Sequence, residues 1–162
     1  MRANLYRLLL LLSLGLWASA AGAAVSVAFV NPQSYTDVGR DPEDRSTHMK
    51  EIETHLKQLG RRYLPHDQSL KIEVLDVDLA GHLSVSRPGR EVRILRGKAD
   101  WPSMTLHYVL EAGGRVLLDR KESIADMGYL EHPIRDYSGQ PLPYEKRMLD
   151  NWFKRRFAAH KR

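Results

Sequence analysis

The 162-residue sequence contains no cysteine. That absence excludes disulfide bracing, a thiolate nucleophile, thiolate metal ligation and anchoring through a lipidated cysteine. Stability then has to come from packing alone. The sequence also lacks HExxH, GxSxG, the GxxxxGK[ST] phosphate loop and the GxGxxG dinucleotide fingerprint. On motifs, no catalytic residue, no metal site and no cofactor is expected. Past the amino-terminal segment, no apolar run approaches the ~20 residues of a membrane-spanning helix, so no transmembrane span is expected. Internal repeats and low-complexity tracts are missing from the same region.

What is present starts at the amino terminus. Arg2 and Arg7 flank a short charged region, an apolar run follows from Leu8 to Trp17, and small residues fill positions 18–24. This order predicts a signal peptide over residues 1–24, cleaved after Ala20, Ala23 or Ala24. The expected location is the periplasm or the exterior. Residues 25–162 then form one soluble domain of ordinary size. The chain carries 25 Lys and Arg against 20 Asp and Glu; two of the basic residues lie in the leader, so the remainder has a net charge of 23 − 20 = +3. That excess is mild and reads as an ordinary basic domain. With export expected, no nucleic-acid partner is expected.

The patterning predicts an α+β fold in the order β-α-β-β-β-β-α. Val25, Val27 and Phe29 alternate as a strand that Asn31-Pro32 ends. Gly39 and Pro42 mark a loop, and Ser46 or Asp44 offers a helix N-cap. Met49, Ile52, Leu56 and Leu59 then recur at helical spacing. His48 and His55 share a face of that helix, but their backbones are about 10 Å apart, too far to share one metal ion, and they read as exposed. Leu70, Ile72 and Val74 open a second strand whose apolar phase flips to Leu75, Val77 and Leu79. A β-bulge near Leu75 or Asp76, or burial on both faces, accounts for the flip. Residues 82–90 are weakly patterned with a turn at Pro88-Gly89, and Val92 and Ile94 mark a third strand. Met104 to Leu110 and Val116 to Ile124 form a hairpin about Gly113-Gly114. A 17-residue connection, Asp126 to Leu142, precedes a final helix starting near Pro143. Four or five largely antiparallel strands with two amphipathic helices on one face bury both helical stripes.

Three constellations are candidates for function. Asp76 and Asp78 lie two apart on a strand, so their carboxylates share a face. With Tyr35 or Asp37 from the first loop, they are the candidate ligand or ion site, and on a hydrolase or metal-dependent reading the reactive groups. The plain alternative is the polar face of a half-exposed strand, with Arg93 or Lys71 as partner. The last helix carries Lys146, Arg147, Lys154, Arg155 and Arg156, a candidate surface for an anionic envelope component, although bases near a helix C-terminus also complement its dipole. Two loops, 31–37 and 126–144, are rich in Tyr, Asp and Gly. They form either a recognition surface or a plug whose buried Tyr hydroxyls bond to Asp.

The segments Phe29-Val30-Asn31-Pro32-x-x-Tyr35-Thr36-Asp37-Val38, Leu70 to Gly81 and Tyr144-Glu145-Lys146-Arg147-Met148-Leu149-Asp150-x-Trp152-Phe153 resemble an uncharacterised proteobacterial family of exported proteins, the domain of unknown function 3016. The resemblance covers nearly all of the chain after the leader. It implies a Gram-negative periplasmic or secreted protein and implies no activity. The expectation is a non-catalytic binding or assembly module whose partner is an envelope protein or an anionic envelope component. The alternatives are an enzyme centred on Asp76 and Asp78, or peripheral attachment through the last helix.

Overall fold

Two strand registers decide where the core lies. The structure, a computed structural model, describes residues 24–87, 90–97 and 99–158. Residues 1–23, all but the last residue of the expected signal peptide, and the expected Pro88-Gly89 turn lie outside the described residues. Strand β1 (Ala24–Phe29) leads through helix α1 (Pro42–Tyr63) to β2 (Gln68–Asp78). Strands β3 (His82–Arg87) and β4 (Arg90–Ile94) follow, then β5 (Ser103–Ala112), β6 (Arg115–Ala125) and helix α2 (Pro143–Phe157). The main sheet has the order β1-β2-β5-β6, with β1 parallel to β2 and the other pairs antiparallel. The parallel pair follows from the connection, because a helix between two adjacent strands returns the chain to the same end of the sheet.

The registers align the apolar sets across the sheet. Val25 sits beside Leu70, Val27 beside Ile72 and Phe29 beside Val74. Leu70, Ile72 and Val74 in turn oppose Leu110, Tyr108 and Leu106. All of these belong to one face, which α1 and α2 cover. Ile52, Leu56 and Leu59 of α1 and Met148, Leu149, Trp152, Phe153 and Phe157 of α2 complete the core. The apolar phase flip in β2 is a bulge: the register shifts between Val74 and Asp76, so Val74 and Val77 both point into the core.

The main sheet is largely antiparallel, as expected, with β1 added in parallel at its edge. Other expectations need correction. The weakly patterned stretch after His82 is a strand, and it pairs with β4 as a separate two-stranded ribbon. Helix α1 begins earlier than expected. Asp41 is its N-cap and accepts hydrogen bonds from Glu43 N and Asp44 N at 3.0 and 2.9 Å, while Pro42 takes the first helical position. Pro42 therefore starts the helix and does not belong to the loop. His55 is buried at 6% exposure and His48 is half-buried, so neither is the exposed residue expected. His55 Nε2 donates to the Lys146 carbonyl at 3.1 Å and ties α1 to α2.

Candidate functional site

The first loop is laid against the end of β2 by backbone pairing. Asp37 N donates to Val77 O at 2.8 Å, and Leu79 N donates to Asp37 O at 3.1 Å. Tyr35, Asp37, Asp76 and Asp78 are thus brought together, as the candidate ligand site required. Most of their polar atoms are engaged within the chain. Tyr35 is buried and its hydroxyl donates to Val74 O at 2.6 Å; burial pushes its pKa up to about 12. Asp76 accepts from Thr36 N and Thr36 Oγ1 at 2.8 and 2.9 Å. Asp37 accepts from Gly39 N at 3.1 Å and pairs with Arg93 Nη1 at 2.8 Å. Asp78 is the carboxylate without such a partner among the described residues. Burial, then the nearby Asp37 and Asp76, raise its pKa, and Arg93 opposes them. The group is a clamp that fastens the loop to the sheet. Lys71, the other cation considered for the Asp pair, pairs instead with Glu111 at 3.1 Å.

A cleft opens on the other side of Arg93. Two adjoining cavities, each of about 240 Å³, share Arg93 and His48. One is walled by Leu79, Leu95, Leu142, Pro143 and Tyr144 over Glu145; the other is lined by Gly39, Arg40, Asp44, Leu83 and Glu91. The β3–β4 ribbon forms one lip. Gly81 makes that approach possible: its φ of 79° is left-handed, and a Cβ there would lie 2.5 Å from Ile94 O. The start of α2 forms the opposite lip, and α1 contributes His48. The ends of both loops, at Gly39 and Leu142, flank this cleft, while Asp76 and Asp78 are not among its lining residues.

Three polar groups in the cleft are held in fixed roles. Arg93 Nη1 meets Asp37 and also donates to the Ala80 and Gly81 carbonyls at 3.3 and 3.1 Å. Its Nη2 and Nε have no partner among the described residues. His48 Nδ1 donates to Val38 O at 2.9 Å, because a carbonyl only accepts. That bond leaves Nε2 as the ring atom without a partner among the described residues. Glu145 is 3% exposed and accepts from Ala80 N at 2.7 Å. Burial raises its pKa against the hydrogen bonds from backbone N–H groups and the charge of Arg93.

The basic residues of α2 divide into inner and outer sets. Lys146 and Arg147 are 7% and 8% exposed, so they face inward and not toward an anionic surface. Lys146 Nζ lies 2.9 Å from Glu51. Arg147 forks onto Asp126 at 2.7 and 3.2 Å and donates to the Tyr129 and His132 carbonyls, which fixes the long connection to the helix. Lys154 and Arg156 are more exposed but pair with Asp150 and Glu122. Trp152 and Phe157, the aromatics beside them, are buried in the core. The tyrosine loops behave as a plug in part: Tyr129 is fully buried with its hydroxyl donating to Asp100 at 3.0 Å.

Sequence reasoning missed His48, Arg93 as a cleft residue, and Glu145. A signal for Glu145 was available. It lies three and four residues before Met148 and Leu149, on the same helical stripe that is buried. Arg93 carried no comparable signal, because the ribbon's position depends on contacts remote in sequence.

The fold and the cleft define a two-layer α+β domain with a small ribbon folded over one end of its main sheet. Residues 23–155 match the family model described as "Protein of unknown function (DUF3016)", and the chain belongs to that family. No curated protein and no solved structure matches the chain. No helix among the described residues is long and apolar enough to cross a membrane.

Proposed function

We propose that the chain is an exported protein of a Gram-negative envelope and acts as a non-catalytic binding module, taking a small ligand in the cleft between the β3–β4 ribbon and the start of α2. The leader pattern supports export. The observation that carries binding is the pair of adjoining cavities around Arg93 and His48. One wall is apolar and the other charged, the make-up typical of small-molecule sites. Tyr35, Asp37 and Asp76 are tied to backbone groups, Thr36 or Arg93, which favours a structural role for the Asp pair over an enzymatic one.

Amide NMR spectra of the protein, titrated with the small-molecule extract of a bacterial envelope fraction, test this reading. The expected shifts cluster at Gly39, His48, Arg93, Leu95, Leu142, Tyr144 and Glu145. No shift there, or shifts confined to the far end of the sheet around Gly113, would sink it.

A further inference from the structure

The proposed binding role does not name a ligand, and the three polar groups in the cleft narrow its chemistry. Arg93 is anchored through Nη1 alone, so the guanidinium is held still while Nη2 and Nε remain as parallel donors. A planar fork of two N–H groups matches a carboxylate in bidentate geometry. Orientation by Asp37 and two carbonyls lowers the entropy lost when that pair forms. Beside it, Leu79, Leu95, Leu142, Pro143 and Tyr144 offer an apolar wall in a cavity of about 240 Å³. An engineered apolar cavity of about 150 Å³ holds a benzene ring, so this space suits a leucine- or phenylalanine-sized group. His48 Nε2 is an acceptor in the tautomer that Val38 O imposes, and it suits an N–H adjacent to the carboxylate.

Charge balance narrows the class further. Asp44 is neutralised by Arg40 at 2.6 Å, and Glu145 and Glu91 also line the two cavities. Arg93 is itself offset by Asp37, so a phosphate dianion would meet those carboxylates with no spare cation to balance it. A monoanion carries half that charge and asks only for the two N–H donors of the fork. We infer that the cleft recognises an α-carboxylate next to an apolar side chain, as carried by a free apolar amino acid or by the C-terminus of a peptide. This inference rests on the cleft being the binding site.

The test uses the protein as the cell exports it, titrated by calorimetry and amide NMR with leucine, N-acetyl-leucine, a hexapeptide ending in leucine, and the C-terminal amide of each. The acids are expected to shift Arg93, Leu95 and Tyr144, with the amides at least tenfold weaker. Binding of leucine alone identifies a free amino acid; binding of the acetylated and peptide forms identifies a peptide C-terminus. Either result supports the carboxylate class. Arg93→Lys keeps the charge but removes the fork and is expected to weaken the acids tenfold or more. Because Arg93 also holds Asp37, Leu95→Glu is the second variant. Leu95 is 38% exposed, so the fold should persist while an added carboxylate repels the acids and not the amides. Equal binding of acids and amides overturns the inference. So does silence of all six probes at the cleft; if the envelope extract still shifts the cleft, the binding role survives and only the ligand class fails.

Discussion

At the scale of single residues, the informative positions are polar side chains on apolar stripes. His55 sits between Ile52 and Leu56 on the inward face of α1, Glu145 precedes Met148 and Leu149 on α2, and Glu122 takes a core-facing place in β6 opposite Leu106. Each has found partners that make burial tolerable. Glu122 receives Tyr108 Oη at 3.0 Å, Trp152 Nε1 at 3.3 Å and the Arg156 guanidinium. Burial pushes its carboxyl up, but hydrogen bonds from Arg156, Tyr108 and Trp152 outweigh it and leave the pKa lowered. Glu145 lacks such charged donors in contact, so burial wins and its pKa is raised. Between the ordinary Glu value and that raised value, folding takes up a proton, and stability falls as pH rises. Glu145→Gln keeps an acceptor for Ala80 N and removes the ionisation. The variant is expected to be more stable than the parent at pH 8, with the difference closing as pH falls through the raised value toward the ordinary Glu value; urea midpoints across pH 4–8 check it.

His107, on the open face of the sheet, has the same sign from a different cause, its carboxylate partners in place of burial. Its two ring nitrogens lie 2.9 and 2.8 Å from Glu73 and Asp119. The hydrogen bond with Glu73, then that with Asp119, raises its pKa, since both nitrogens donate only in the imidazolium. The resulting cross-strand link among β2, β5 and β6 is present below the ordinary His value and lost as pH rises through the raised one. NMR titration of the imidazole is expected to give a midpoint above 6.5, returning toward that value when Glu73 and Asp119 are both replaced by their amides. A midpoint at or below the ordinary value in the parent would show the link to be open in solution.

At the scale of elements, close approach decides more than propensity. Helix α1 lies so near β1 that a Cβ on Gly60 would come 2.1 Å from Val25 Cγ2. Alanine gains about 1 kcal/mol of helix propensity over glycine, yet overpacking costs about 1–3 kcal/mol. Gly60→Ala is therefore expected to lower stability, and adding Val25→Ala should recover part of the loss; denaturant midpoints of the two variants decide it. The start of the same helix depends on Asp41, and Asp41→Ala should cost about 1 kcal/mol by the same measurement. Both helices, the β5–β6 hairpin and the β2 bulge were legible in the sequence because periodicity and Gly-Gly or Pro signals are local. The parallel placement of β1 and the separate β3–β4 ribbon were not. A helical connection makes two strands parallel only if they are neighbours, and nothing within β1 marks β2 as its neighbour; the ribbon carries exposed Leu83 and Val85 in place of a clean alternation. The cleft was illegible for the same reason: Arg93, His48 and Glu145 come from three elements whose meeting depends on that ribbon. The Asp76–Asp78 and Tyr35–Asp37 grouping was legible because strand parity and a loop leaving the adjacent strand bring them to one sheet end.

At the scale of the whole molecule, formal charge and available charge differ. Five basic residues on α2 suggested attraction to an anionic surface. Lys146 and Arg147 are turned inward onto Glu51 and Asp126, and Lys154 and Arg156 face Asp150 and Glu122. Burial pushes the Asp150 carboxyl up, but hydrogen bonds from His55, Tyr137 and Lys154 bring it down to about 2, so this partner stays ionised at any ordinary pH. Of the five, Arg155 alone has no ion pair among the described residues. A juxtamembrane cation contributes about 1 kcal/mol near an anionic leaflet, and one such group holds no protein at a bilayer. The apolar contribution is also absent, since Trp152, Phe153 and Phe157 are within the core. The protein is therefore expected to stay in the supernatant when sedimented with phosphatidylserine-rich vesicles at low salt, and Arg155→Glu should change nothing. Binding that salt reverses and Arg155→Glu weakens would mean that the Lys154–Asp150 and Arg156–Glu122 pairs open in solution to free their cations.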